Sequence, residues 1–207
     1  GLSIPERLRL SFEELGPTFV KLGQLLATRS DLIPEAYVEE FSKLQDDVAT
    51  IPFEEIRSFL ETELKSPIDH VFSEFETTPK AAASIAQVHF AILKSGEKVA
   101  VKIQRPGIDK VIQNDISILR GLALLLEKYV PEVEPFNPSG LVEEFFQSIL
   151  FELDFRVESN NIRKIKLNLK DLKKISIPTV YDTYSSSRIL VLERFEGIRF
   201  SDREAIL

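Results

Sequence analysis

The chain has 207 residues, 43% of them hydrophobic and 29% charged, with a net charge of −7. That is enough apolar material for one or two domains with buried cores, and the acidic balance argues against a nucleic-acid-binding surface. With no cysteine there is no disulfide framework and no thiol ligand, which fits a reducing compartment. No uncharged apolar run approaches the roughly 18 residues of a membrane span, the best candidate being 121–126. Gly1 opens the chain and methionine is absent, so the natural start is expected upstream and a removed targeting segment stays open.

The first 70 residues read as short helices punctuated by proline, with Pro17, Pro34 and Pro52 each where a helix would begin. Phe19, Leu22 and Leu26 recur at helical spacing and should face a core. Lys21, Gln24 and Thr28 form a separate polar stripe on the same helix. Gly23 in mid-helix costs about 1 kcal/mol relative to alanine, and a close approach by another element would explain it.

Between 80 and 104 the pattern changes. A run of small residues, Ala81, Ala82, Ala83, Ser84, Ile85 and Ala86, leads through Gln87 into Val88, Phe90 and Ile92 alternating with His89, Ala91 and Leu93. That mixed period-2 signal fits a half-buried strand. Ser95-Gly96 supplies a turn. Val99, Val101 and Ile103 then share one face of a second strand, leaving Ala100, Lys102 and Gln104 on the other. A lone lysine among apolar strand residues either lines a polar cleft or guards an exposed edge. The alanine run could equally be a turn of helix.

Ile112, Ile116, Leu119, Ala123, Leu126 and Val130 mark a helix of about 20 residues ended by Pro131, its expected role being to pack against the N-terminal helices. After a linker from Pro131 to Pro138, Ser139 is the expected N-cap of a long helix with Leu141, Phe145, Ile149, Leu153 and Val157 on its apolar face. On a regular helix Asp154 and Glu158 lie about 40° apart, whereas Glu152 is about 160° from Asp154. The three acids therefore serve different partners, or the helix bends near Glu152. The basic residues of 162–174 fit cations at a helix C-terminus better than an acidic-lipid patch, because the apolar residues among them form no wide face. His70 and His89 lack neighbours for a metal site and are expected to be structural. Ser176–Tyr181 and Arg188–Phe195 are β-prone runs, expected as the last strands of a five-stranded antiparallel sheet.

Three motifs together resemble the UbiB-type family of atypical kinase-like proteins, associated with ubiquinone biosynthesis and isoprenoid-lipid homeostasis. They are Lys21-Leu22-Gly23-Gln24; the alanine-rich run leading to Ala100-Val101-Lys102-Ile103-Gln104-Arg105-Pro106-Gly107; and Glu152-Leu153-Asp154-Phe155 with Glu158 and Asn161 beyond it. The resemblance spans roughly residues 11 to 204. It implies an α+β fold, a protein-kinase-like upper lobe over 71–196 with a helical extension over 1–70, an inserted helix at about 108–130, and the start of a lower lobe over 197–207. It also implies that Lys102 holds nucleotide phosphates with Glu158 as its partner, that the loop 81–86 with Gln87 and Val88 covers the nucleotide, and that backbone groups near Glu193 and Phe195 meet adenine. Lys21 and Gln24 would point into the cleft, with Glu152 and Asp154 assigned to Lys21, where the helix would obstruct a protein substrate.

The cofactor so implied is ATP or ADP, with Mg in the complete protein. The implied partners are lipid quinone precursors or the proteins that handle them, with no nucleic acid, and with membrane association only through parts outside this chain. The implied location is the cytoplasmic side of a membrane or an organelle such as a mitochondrion or plastid. Neither an H-x-D-x-x-x-x-N pattern nor a D-F-G pattern occurs, so the residues hold no catalytic group for phosphoryl transfer. A non-catalytic nucleotide-responsive module or a scaffold is therefore the alternative to an atypical kinase or ATPase.

Overall fold

The computed structural model describes residues 1–45 and 49–198, so most of the stretch expected to open a lower lobe lies outside the described residues. Helix α1 (Ile4–Leu15) starts in a capping box, Ser3 Oγ accepting from Glu6 N while the Glu6 carboxylate accepts from Ser3 N. Helix α2 (Pro17–Ala27) begins on its proline, and Pro34 and Pro52 cap α3 (Glu35–Phe41) and α4 (Phe53–Leu64). All three proline starts thus fall within one residue of their sequence positions. Gly23 is explained by contact: a Cβ there would meet Leu44 Cδ1 at 2.2 Å and Phe12 Cδ2 at 2.9 Å. The close approach comes from side chains rather than from another backbone.

A single turn, α5 (Ile68–Val71), leads into β1 (Phe72–Phe75), followed by β2 (Ala81–Ala82), β3 (Ala86–Leu93) and β4 (Lys98–Gln104). Three helices come next, α6 (Ile108–Tyr129), α7 (Pro138–Leu153) and α8 (Phe155–Asn168), before β5 (Ile189–Glu193). The sheet is antiparallel throughout, in the order β1-β3-β4-β5 with β2 also paired to β3. The fold is the α+β arrangement of helices and five strands expected from the sequence, with one strand reassigned. Residues 176–181 make an isolated bridge, Val180 to Leu192, flanked by bonds from Tyr181 N to Val191 O and from Glu193 N to Thr179 O, and form no strand. Pro178 has no N–H to donate there, and residues 72–75 supply the other strand.

One face of the sheet is dry. Val99, Val101, Ile103, Ala91, Leu93 and Val191 pack with Ile56 and Leu60 of α4 and with Phe72, six of these nine being fully buried. A second core joins Phe19 and Leu22 of α2, Ile112 and Ile116 of α6, and Phe145 and Ile149 of α7 to Ile85 and Ala86. Helix α6 thus packs against α7 as well as against the N-terminal helices, and Thr18 Oγ1 donates to Asp115 to fix α2 on it.

The single long helix expected after residue 139 is two helices. Asp154 takes an extended conformation (φ −102°, ψ 96°), and its carboxylate caps α8 by accepting from Arg156 N at 3.0 Å. Gln104 Nε2 occupies the carbonyl of Leu153 that the break exposes, at 2.9 Å. A short acid that can bond its own backbone competes with the helix, and here it wins. Nor does Ser139 cap α7. Asn137, in the left-handed region at φ 47°, accepts from Gly140 N, and Ser139 bonds to Glu127 of α6.

His89 is structural, buried at 0% exposure in the middle of β3. Gln87 Oε1 accepts from Ile51 N, so its amide nitrogen donates to His89 Nε2, and His89 Nδ1–H donates to Glu76 O at 2.8 Å. Burial pushes the His89 pKa below its ordinary value, with the Glu76 carbonyl pulling more weakly the other way. A histidine depressed in the folded state contributes stability that is complete above about pH 6.5 and is lost as pH falls from there through the folded value. Thermal unfolding between pH 7.5 and 5 should therefore show a melting temperature that falls towards acid, about pH 6.5 marking the onset. His89→Gln should flatten that slope; parallel curves for the two proteins would refute the assignment.

Candidate functional site

The face of the sheet opposite the dry core carries the charges. Strand β4 is bonded on both sides, Lys102 lying between Val88 of β3 and Leu190 of β5. Its side chain emerges beside α8 and donates to Glu158 at 2.6 Å, with Nζ also 4.8 Å from the centre of the Phe155 ring. Phe155 N is pinned to Ser187 O at 2.9 Å, so the start of α8 is registered against the segment entering β5. Side-chain exposures of 29% for Lys102 and 41% for Glu158 mean that water reaches the pair. A screened pair of this kind contributes about 1 kcal/mol at most, below the 3–5 kcal/mol that breaking a fully buried one costs. It positions the ammonium more than it holds the lobe together.

The alanine-rich run is a hairpin and not a helical turn. Ala81 and Ala82 pair with Val88 and Gln87, and Ala83 N donates to Ala86 O at 2.8 Å. Among the described residues only Lys65 and Asn137 are non-glycine residues with positive φ, so the hairpin needs no glycine to take its shape. Its tip is buried: Ser84 is 0% exposed, and Ile85 and Ala86 sit in the helical core with Phe19 and Leu22. Among the described residues, Ser84 Oγ finds no hydrogen-bond partner. A buried hydroxyl left unsatisfied is costly.

On α2, Lys21 is 12% exposed in its side chain and reaches Glu152 at 2.8 Å. Gln24 Nε2 donates to Leu44 O at 3.3 Å. Both side chains line a hollow with Thr28, Ser148 and Glu152. Glu152 also borders a second hollow that Glu158 and Asn161 line. Asp154, expected as a second acid for Lys21, instead holds Arg156 through two guanidinium nitrogens, which keeps its pKa below the usual carboxylate range. The helix break turns it away from Glu152, and this resolves the geometric conflict read from the sequence.

Glu193 ends β5 with its amide already donating to Thr179 O and its carboxylate accepting from Thr179 N and Oγ1, an arrangement that lowers its pKa. Its N–H, one of the backbone groups expected near adenine, is therefore already engaged within the chain. Phe195 is half exposed just beyond the strand. Among the described residues no group of His, Cys, Asp and Glu converges as metal ligands. Of the basic stretch, Lys166 and Arg163 reach Thr179 and Asp182, so part of it braces the extended segment that precedes β5.

Two arginines had no role in the sequence reading. Arg194 stacks on the Phe90 ring with its guanidinium carbon 3.9 Å from the centre, and Arg105 reaches back to the hairpin. Nothing in the local pattern signals the first. The second stands inside the motif that contains Lys102.

Comparison with known proteins places this geometry in a family. A family model described as the ABC1 atypical kinase-like domain matches residues 43–207. The chain is 42% identical over 205 residues to a probable protein kinase UbiB of Marinobacter nauticus and 38% identical over 205 residues to that of Aliivibrio fischeri. Each match covers 99% of this chain and 38% of the relative, so the chain spans well under half the length of these relatives. Among solved structures, the complex of Rv3197 with erythromycin from Mycobacterium tuberculosis superimposes with a TM-score of 0.64 at 31% identity, over 87% of this chain and 45% of that one. The fold, the paired Lys102 and Glu158 and these matches together make the chain a member of the ABC1 atypical kinase-like family.

Proposed function

We propose that the chain forms the nucleotide-binding upper lobe of an atypical kinase or ATPase linked to ubiquinone or isoprenoid-lipid metabolism. The observation that carries this reading is Lys102, held by Glu158 at 2.6 Å on the open face of the sheet and beside a hairpin with an unsatisfied buried hydroxyl. In a kinase-like site such a lysine binds phosphate oxygens and the glutamate fixes its position. The names of the UbiB relatives support the link to ubiquinone. The residues fit ATP or ADP: Lys102 and the hairpin for the phosphates, Ala100 and the end of β5 near Glu193 and Phe195 for the base. Mg, when bound with nucleotide, neutralises phosphate charge, and its ligands belong to parts of the protein beyond the described residues. The phosphoryl acceptor and any quinone-precursor partner lie with those parts too. No described helix is long and apolar enough to cross a membrane, and membrane association through segments outside this chain completes the proposal.

Removing Lys102 takes away a charge-assisted contact of about 1.5–3 kcal/mol. Lys102→Ala in the full-length protein should weaken ADP binding by about tenfold or more. The melting temperature should move little, because the pair is solvent-reached. Unchanged nucleotide affinity in calorimetric titration would sink the assignment.

The hairpin makes a second expectation. Since its backbone is formed without positive φ, Ala82→Gly or Ala83→Gly adds freedom where phosphate docks and leaves the fold intact. Titrations of ADP and ATP should show an altered preference between them, at a stability cost of about 1 kcal/mol or less. Identical affinities in wild type and both variants would make the alanines mere packing residues.

Helix α2 and its Lys21–Glu152 contact add a constraint on the acceptor. With the helix held against α7, the complete protein should phosphorylate generic peptides at a very low rate in a radiolabel transfer assay. Efficient peptide phosphorylation would refute the obstruction.

A further inference from the structure

Arg105 follows β4 and makes three contacts that converge on one place. Its backbone N donates to Ile85 O at 2.9 Å, its Nε donates to Ala83 O at 2.8 Å, and its Nη2 donates to Ala49 O at 2.8 Å. The first two hold the Ala83 and Ile85 carbonyls at the tip of the alanine hairpin. The third ties that tip to the backbone segment joining the N-terminal helices to α4.

A trans peptide points its C=O and its N–H in opposite directions, and the described residues contain no cis peptide. When Arg105 draws the carbonyls of Ala83 and Ile85 to one side, the N–H groups of Ser84 and Ala86 are turned to the other. Ala83 N closes the hairpin on Ala86 O, and Ala83 O accepts from the guanidinium. With the Ser84 hydroxyl unsatisfied between them, the two peptide planes that Arg105 fixes set the shape of the tip. An arginine sunk against neutral carbonyls is an expensive device for bracing a loop. Its burial lowers its pKa, with desolvation as the cause.

We infer that Arg105 is a positioning residue for the nucleotide phosphates: it fixes the tip of the hairpin proposed to cover them and locks that setting to the N-terminal extension through Ala49. This rests on the nucleotide reading given above, and it assigns Arg105 no contact with nucleotide. Lysine keeps the charge but lacks the planar fork that spans carbonyls on two segments, so it should rescue only in part.

The test uses the full-length protein and two probes, ADP and adenosine, which share a base and ribose and differ in phosphate. In wild type the affinity ratio of ADP to adenosine measures what the phosphate site contributes. Arg105→Ala should lower that ratio by about tenfold while adenosine affinity stays within about twofold, and Arg105→Lys should fall between. Hydrogen exchange should quicken in both 81–86 and 49–51 in the same variants. A ratio unchanged in both variants would overturn the positioning role, as would equal losses for ADP and adenosine, which mark a purely structural arginine. If Arg105→Ala does not fold, Arg105→Lys decides by the same ratio. A wild-type protein that binds ADP no better than adenosine would overturn the nucleotide reading itself, and the role of Arg105 with it, a result distinct from the other two.

Discussion

Strand β4 is hydrogen-bonded along both edges, and that single fact constrains most of the molecule. A central strand has no freedom to rotate, so its side chains must alternate strictly between two faces. Val99, Val101 and Ile103 enter a core with no measurable exposure. Lys102 and Gln104 are thereby forced onto the opposite side, where each finds an anchor on the helical layer: Glu158 for the first, Leu153 O for the second. A shift of one residue in register would bury the ammonium among aliphatic side chains. The dry core therefore fixes the position of the lysine more firmly than the ion pair does.

The break between α7 and α8 is the other element on which the site depends. A continuous helix through residue 158 would set Glu152 and Glu158 about 120° apart in azimuth with no adjustment possible. Ending α7 at Leu153 and restarting at Phe155 gives each carboxylate its own helix. Glu152 turns to Lys21 on α2 and Glu158 to Lys102 on the sheet. Asp154 is consumed by the joint itself, as the cap of α8 and the partner of Arg156. The three acids of one short motif thus have three separate tasks.

How far the sequence revealed this depends on the range of the interaction concerned. Proline at helix starts, alternation in β3 and β4 and the Ser95-Gly96 turn are written within a few residues of where they act, and they were legible. The partner of Lys102 lies 56 residues away, and only the family resemblance suggested it. Competition between short-range caps misled the periodicity argument twice, at Ser139 against Asn137 and at Asp154, because an apolar stripe continues across a helix break without recording it. The strand expected at 176–181 failed for lack of partners: extended backbone with Pro178 meets β5 at one bridge. Arg105 was invisible for a different reason, since its acceptors are backbone carbonyls and carry no residue signature.

The burial of Ile85 has a consequence for how this lobe comes apart. Loops that cover ligands are usually among the least stable parts of a protein, opening locally at little cost. Here the loop tip shares its core with α2, α6 and α7, so Ile85 cannot leave without uncovering Phe19, Leu22 and Phe145. Hairpin and N-terminal helices form one cooperative unit, and the loop acquires the opening free energy of that whole unit in place of its own. Partial melting of the extension is then the easiest route by which the hairpin becomes free to move, which makes the stability of α2 a setting for the motion of a loop some sixty residues further along the chain.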